Sequence, residues 1–160
     1  MRTNGFSLVE LVTVMALIGI LLAIGTLSFN SMSRKYAIDN QTRSLYTDLM
    51  ELRLKSMYKK KSHYVSLAAG TFVLYSSGTR ANPAGEVLRK ALTFPVIWNG
   101  SGDLIEFDSH GLTNDQRSIC VGQNESAPHI DSIVISRARL NTGKRKAGSN
   151  VCDDTSIDIK

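Results

Sequence analysis

An apolar segment near the N-terminus constrains the fold of this 160-residue chain more than any other feature. Across residues 6–33 the only ionisable side chain is Glu10. As a helix, this segment is long enough to cross a hydrocarbon layer about 30 Å thick. Arg2 before it favours a cytoplasmic N-terminus, although Arg34 and Lys35 after it compete under the positive-inside rule. The segment therefore predicts a membrane anchor.

Glu10 distinguishes this segment from an ordinary secretory signal, which shares the charged start and the apolar run. An ionised carboxylate inside such a helix costs roughly 3 kcal/mol on insertion scales. No Lys, Arg or His lies within helical reach of Glu10, so its partner must come from elsewhere. Cleavage between Gly5 and Phe6 would create an α-amino group four residues before Glu10, and a neighbouring chain could offer the same amine.

The sequence Gly-Phe-Ser-Leu-Val-Glu at residues 5–10, followed by the apolar run, closely resembles the N-terminal signal of type IV pilins and pseudopilins. The resemblance implies that a prepilin peptidase cleaves after Gly5 and N-methylates Phe6. It also implies that Glu10 pairs with the amine of an adjacent subunit during assembly and thereby sets the register between packed helices.

Beyond residue 29 the chain becomes more polar, yet apolar side chains keep a helical spacing. They are Ile38, Leu45, Leu49, Leu52 and Met57. No Pro or Gly occurs between residues 26 and 69, which predicts one helix from Phe6 to about Lys60. Its amphipathic second half is expected to pack on the chain's own sheet, with a partner's groove as the alternative. The lysines at positions 59–61 would offset the helix dipole at its end.

Short segments rich in β-forming residues follow the helix, separated by Gly- and Pro-containing breaks. They occupy residues 64–67, 71–75, 87–92, 96–98, 104–107, 118–121 and 130–135. The predicted fold is therefore α+β: a long N-terminal helix packed on a C-terminal antiparallel sheet or sandwich. The expected organisation is a leader at 1–5, a transmembrane or filament-core helix at 6–29, its amphipathic continuation at 30–61, and a periplasmic β-rich head at 62–160.

Segments of the head extend the resemblance, since residues 52–67, 105–112 and 133–139 occur in the order typical of the GspH/FimT group of minor pseudopilins. Ser136 stands where that group usually has glycine. The resemblance implies a single-pass inner-membrane protein with a periplasmic head, which later enters a type IV pilus or a type II secretion pseudopilus. The implied partners are other pilin or pseudopilin subunits, the prepilin peptidase and inner-membrane lipid.

The two cysteines, Cys120 and Cys152, both lie in the C-terminal third of the chain. In an oxidising periplasm they could form one disulfide, which would contribute about 3 kcal/mol by closing a loop of some thirty residues. Two free, buried thiols are the alternative. Their spacing fits neither a CxxC redox motif nor a zinc finger.

Catalytic and metal-binding motifs are not found in the sequence. His63, His110 and His129 are scattered, and no GxSxG or phosphate-binding glycine loop occurs. Two groups of acids, at positions 103, 106 and 108 and at positions 153, 154 and 158, lack the spacing of a calcium loop. The chain is therefore expected to be a non-enzymatic subunit with no catalytic residue, metal or cofactor.

A basic segment between residues 137 and 146 is the strongest candidate contact surface. It contains Arg137, Arg139, Lys144, Arg145 and Lys146, with no intervening acid, and is expected to lie partly on a loop. In the DNA-uptake branch of the resembled family, a basic segment at this place binds DNA, which here would mean contacts with phosphates and no sequence preference. Solubility or contact with other subunits is the alternative explanation.

Overall fold

The structure is a computed structural model that describes residues 7–122, 128–146, 148–149 and 151–160. For residues 24–28 it describes the backbone only. The chain divides into two compact units, Met1–Arg34 and Lys35–Lys160. Helix α1, Leu8–Lys59, contributes to both units.

In the first unit, α1 begins beside Ser7, whose carbonyl oxygen accepts a hydrogen bond from the Leu11 N–H at 3.2 Å. Serine is a favoured residue at this capping position. Glu10 lies in the first turn, where a negative charge complements the helix dipole. The apolar side chains described in this unit are all exposed, with Leu17 at 61% and Leu21 at 69%.

In the second unit, α1 presents one buried stripe to the rest of the head. Ile38, Leu45, Leu49 and Leu52 are at most 1% exposed, as predicted from their spacing. Thr42 and Ser56 occupy the same stripe at 0% exposure, and their hydroxyls donate to helix carbonyls one turn back. The expectation for Met57 was wrong in part, because the fully buried position at this end of the stripe is Ser56 and Met57 remains partly exposed.

Within the described residues, nine strands form two antiparallel sheets, here named the first and the second sheet. The first has the order β3-β2-β1-β5 and the second the order β4-β6-β7-β8-β9. The strands are β1 His63–Ala68, β2 Thr71–Thr79, β3 Asn82–Ala91, β4 Val96–Trp98, β5 Leu104–Phe107, β6 Arg117–Val121, β7 Ser132–Ile135, β8 Leu140–Arg145 and β9 Ile157–Ile159. The predicted α+β architecture, a helix packed on antiparallel sheets, is confirmed.

One hydrophobic core joins the helix stripe to both sheets. Side chains such as Phe72, Phe107 and Ile133 are fully buried and pack in the same cluster as Leu45 and Leu49. Because strand side chains alternate between faces, the neighbours of Ile119 and Ile133 in the second sheet point away from the helix. This outer face is covered by a smaller cluster made of Cys120, Val134, Cys152 and Ile157, with Ile97 packed against it.

Two glycines allow close approaches that hold the head together. A Cβ at Gly143 would lie 2.4 Å from Ile157 Cγ2, so glycine is needed where β9 pairs with β8. A Cβ at Gly111 would lie 2.7 Å from Met57 Cγ, and Gly111 has φ +72°. The loop after β5 can therefore rest directly against the end of α1.

Two strands were not predicted. The basic segment at 137–146, expected to lie partly on a loop, has Arg137 and Arg139 in the turn between β7 and β8, whereas residues 140–145 form β8, which pairs with β7 from Ile135↔Leu140 to Ser132↔Gly143. The C-terminal strand β9 then pairs with β8. Tertiary pairing decides β8, because residues 140–145 contain few β-branched or aromatic side chains. β9 has only three residues, which is too short a run for an alternating pattern to predict it.

Candidate functional site

The N-terminal motif can be followed in the structure only from residue 7. Gly5 and Phe6, the predicted cleavage and methylation site, lie outside the described residues. The Glu10 side chain is exposed on the first turn of α1, and its backbone carbonyl accepts a hydrogen bond from Thr13 Oγ1 at 2.9 Å. The nearest Lys or Arg residues in the sequence are Arg2 and Arg34.

The first unit exposes large apolar side chains on all sides of its helix. They include Leu8, Val9, Leu11, Val12, Val14, Met15, Leu17, Ile18, Ile20, Leu21 and Leu22. A helix that is apolar all round is stable only where lipid or other helices cover it. Within the described residues, no helix satisfies the combined length and hydropathy needed to cross a bilayer.

The basic segment does not form one continuous surface. Arg137 and Arg139 are exposed in the turn between β7 and β8. Lys144 lies at the other end of β8, about 13 Å from the start of that strand at 3.3 Å per residue. It is half-buried and faces Asp158 across the pair with β9. The exposed Lys146 donates a hydrogen bond from Nζ to the Thr155 carbonyl at 2.6 Å.

Arg145 does not belong to any exposed basic surface, and this corrects its expected role in DNA binding. Its side chain is 7% exposed and forms an ion pair with Asp131 through Nε at 3.0 Å. Nη2 also donates to the carbonyls of Val121 and Gly122, at 3.2 and 2.6 Å. The Asp131 carboxylate further accepts the Ser132 hydroxyl and the Arg145 N–H. Arg145 therefore holds strand ends together and cannot reach a phosphate.

Cys120 and Cys152 form a disulfide with an S–S distance of 2.04 Å. The bond joins β6 to the segment between β8 and β9, and both cysteines are buried in the outer cluster of the second sheet. Of the two alternatives left open by the sequence, the structure contains the disulfide. It fastens the C-terminal segment over a face of the sheet that would otherwise expose Val134 and Ile157.

Two of the acids considered as metal ligands, Asp108 and Asp153, have other partners. Asp108 Oδ1 accepts the N–H groups of His110 and Leu112, at 2.8 and 2.9 Å. Hydrogen bonds from Ser156 lower the pKa of Asp153 and order the turn before β9. In the described part of the chain, no group of three or more His, Cys, Asp or Glu side chains is arranged to hold a metal ion.

Asp115 is a structural residue that the sequence analysis missed. Its carboxylate accepts hydrogen bonds from both terminal nitrogens of Arg80, at 2.6 and 2.7 Å, and from the Glu106 N–H at 2.9 Å. Burial raises the pKa of Asp115, but the hydrogen bonds from Arg80 and Glu106 outweigh it and hold the pKa below its ordinary value. The pair ties the tip of the β2–β3 hairpin to the loop before β6.

A second set of missed contacts fastens the end of β3 to α1. Lys90 donates from Nζ to Ser44 Oγ at 2.9 Å and pairs with the Asp48 carboxylate. The Gln41 amide bonds to both backbone groups of Phe94, at 2.7 and 3.0 Å. Separations of more than forty residues leave no local sequence signal for these contacts.

Comparison with known proteins gives two consistent results. Residues 1–26 match the family model described as the prokaryotic N-terminal methylation motif. The fold matches a crystal structure of the type IV minor pilin FimU of Pseudomonas aeruginosa PAO1 with a TM-score of 0.57 and 11% identity, covering 69% of this chain and 91% of that chain. A second crystal form of FimU matches with a TM-score of 0.50 and 14% identity, covering 65% and 90%. No curated protein sequence matches the chain.

The pilin-like fold predicted from the sequence is therefore confirmed. At 11 to 14% identity, the structural likeness shows only that the folds are alike. The methylation motif at the N-terminus is an independent observation. Together they describe a chain whose fold is like that of the minor pilin FimU and whose N-terminus matches the methylation motif. Assignment to the GspH/FimT group stays a prediction.

Proposed function

We propose that this chain is a minor pilin or pseudopilin, a structural subunit made as a precursor and processed at its N-terminus. A prepilin peptidase removes residues 1–5 and methylates the amine of Phe6. The chain waits in the inner membrane as a single-pass protein with its head in the periplasm. It then joins the priming or tip complex of a type IV pilus or a type II secretion pseudopilus. The methylation motif at residues 1–26, joined to a pilin fold, carries this proposal.

The exposed apolar helix of the first unit supports the proposal physically. Its side chains, such as Leu17 and Leu21, have no partners within the described residues that would bury them. Lipid can cover this surface before assembly, and the helices of other subunits can cover it afterwards. An alternation between these two surroundings is what a filament subunit requires.

In this proposal Glu10 fixes the register between subunits. The carboxylate lies on the first turn of α1 and pairs with the N-terminal amine of Phe6 on an adjacent subunit, which offsets the cost of holding a charge among apolar side chains. The pair would be formed only when two helices stand at one particular stagger.

Substitution of Glu10 tests this role. In Glu10→Ala, membrane insertion and cleavage should continue, while the amount of the protein in sheared filaments should fall about tenfold or more, because the charge pair is lost. Thr13→Ala, one turn further along the same helix, is the matched control and should assemble normally. Undiminished incorporation of Glu10→Ala would refute the pairing.

The system that uses the subunit can be identified by comparing cells with and without it. Quantitative proteomics of the sheared surface fraction and of the culture fluid should show one of two losses. Loss of the major pilin from the sheared fraction would assign the protein to a type IV pilus. Loss of exported enzymes from the fluid would assign it to a secretion pseudopilus, and no change in either fraction would count against a role in assembly.

DNA binding is the second candidate function, and the exposed turn containing Arg137 and Arg139 favours it. Duplex DNA should bind with an affinity that falls steeply as salt rises. Arg137→Ala with Arg139→Ala should remove that binding, whereas Lys144→Ala should change it less because Lys144 is half-buried opposite Asp158. Unchanged affinity in the double arginine variant would exclude this surface.

A further inference from the structure

The end of α1 keeps a lysine in a backbone conformation that usually belongs to glycine. Lys60 has φ +53° and is the sole non-glycine residue with positive φ among the described residues. The Lys61 N–H donates to the Ser56 carbonyl at 3.3 Å, the closing bond of a helix end with a left-handed residue. Glycine would hold this position with less strain. The lysine therefore weakens the cap that it forms.

The same end of the helix carries an exposed apolar pair. Tyr58 is 89% exposed and Leu54 is 56% exposed. They lie one turn apart, and so on one face, opposite the buried side chains of Leu52 and Ser56. Nothing in the described part of the head covers this pair.

The lysines beside the pair have no acidic partner among the described residues. Lys59, Lys60 and Lys61 are all exposed, and no salt bridge to any of them occurs within that part of the chain. Lys55, one turn earlier, is by contrast paired with Glu51 at 2.6 Å. The helix end thus has three exposed cations that follow Tyr58 directly in the sequence and have no acidic partner in the described part of the chain.

We propose that Leu54, Tyr58 and the lysines at positions 59–61 form a docking surface for an acidic surface on a partner protein. Tyrosine is a frequent anchor at protein interfaces, and charged residues commonly form the rim. The three unpaired cations favour a partner surface rich in Asp or Glu, because they attract carboxylates and would repel a basic surface. In this proposal the charge of Lys60 serves the contact, which accounts for a lysine at a position where glycine would be less strained.

The chemistry of the patch favours a protein over a nucleic acid. Leu54 adds apolar area that a phosphate backbone cannot use, and Tyr58 is one exposed aromatic side chain on a convex helix rather than part of a row of aromatic rings. Binding of single strands normally uses several aromatic rings along a groove. The proposal concerns the head alone and does not depend on entry into a filament.

Photo-cross-linking in cells that make the full chain tests the proposal. Benzoylphenylalanine placed at position 58 should form an adduct with one protein, whose cross-linked peptide contains several Asp or Glu residues. The same label at Thr47, exposed on this face of α1 three turns earlier, is the matched control and should give a much weaker adduct. No adduct above that control, or an adduct with nucleic acid or lipid, would overturn the proposal.

Charge variants make the test specific. Replacing all three lysines with Glu should lower the adduct about tenfold or more, since each exposed charge then repels the partner. Reversing the partner's cross-linked acids to Lys should restore it. If the yield of the adduct is unchanged when all three lysines are replaced with Glu, the charges have no role in the contact.

Lys60→Gly separates docking from folding. It removes one cation but relieves the strained backbone, so the head should be at least as stable while the adduct falls about two- to threefold. A stable Lys60→Gly protein with an undiminished adduct would show that Lys60 serves only the helix end.

Discussion

The two units of this chain differ in where their leucines find partners. In Lys35–Lys160, Leu49 is 0% exposed and packs with strands from both sheets. In Met1–Arg34, Leu17 is 61% exposed on the same continuous helix. The second half of the helix therefore completes a core within the chain, whereas the described apolar side chains of its first half stay exposed. In the proposed function, lipid or other subunits would cover them. The difference predicts which substitutions harm folding and which harm assembly.

The largest expected contrast comes from the same substitution in the two halves. Leu49→Ala should lower the free energy of unfolding of the head by about 4 kcal/mol, because it leaves a cavity in the core. Leu17→Ala should change it by less than about 0.5 kcal/mol, as expected of an exposed site. Denaturant titration of the full chain in detergent micelles measures both, and equal effects would remove the distinction between the units.

The next largest effect concerns the buried ion pair of the head. Asp131→Asn should cost about 3 kcal/mol of unfolding free energy, since it leaves the Arg145 charge buried without a counter-charge. Glu86→Gln breaks the exposed pair with Arg89 and should have no measurable effect. Thermal unfolding of the two variants checks this, and a small effect of Asp131→Asn would mean that water reaches Arg145.

A pH-dependent effect is expected at Asp115. Its pKa in the folded chain lies below the ordinary value, so the folded state is stabilised above the unfolded pKa of about 4. That contribution is lost as the pH falls through the folded pKa. Stability should therefore fall less steeply below about pH 4 in Asp115→Asn than in the unsubstituted chain. Asp154→Asn, at an exposed site, is the control. If stability falls equally steeply below about pH 4 in all three proteins, Asp115 is not the source of the pH dependence.

The smallest effect isolates the backbone strain at Lys60. Both Lys60→Gly and Lys60→Ala remove the charge, but only glycine relieves the positive φ. The glycine variant should be more stable than the alanine variant by about 1 kcal/mol in denaturant titration. If the two variants unfold alike, the helix end is not strained.

Periodic patterns in the sequence predicted the helix, its buried stripe and seven strands, because those elements follow from local spacing of apolar residues. Residues 140–145 were not predicted as a strand, since Asn, Gly, Lys and Arg dominate this segment and only pairing with β7 makes it extended. Arg145 resembled its basic neighbours in the sequence. Its burial depends on Asp131, which lies fourteen residues away, so no local pattern distinguishes it.

The candidate site likewise contains features that a local sequence pattern shows and features that appear only in the folded chain. The N-terminal motif is a contiguous run and could be recognised from the sequence, and the family comparison matches it. The pair of Leu54 and Tyr58 could not be recognised, because a helical apolar pair becomes an exposed patch only once the buried face of the helix is known. Arg80 and Asp115, thirty-five residues apart, likewise meet only in the folded head.

The most direct test of the account is the mass and the N-terminal sequence of this chain recovered from sheared surface filaments. A filament subunit should begin at N-methylated Phe6, lack residues 1–5, and retain one disulfide between Cys120 and Cys152. Recovery of the chain only from membranes, with residues 1–5 intact and an unmodified N-terminus, would contradict the proposal that its first unit is completed by other subunits.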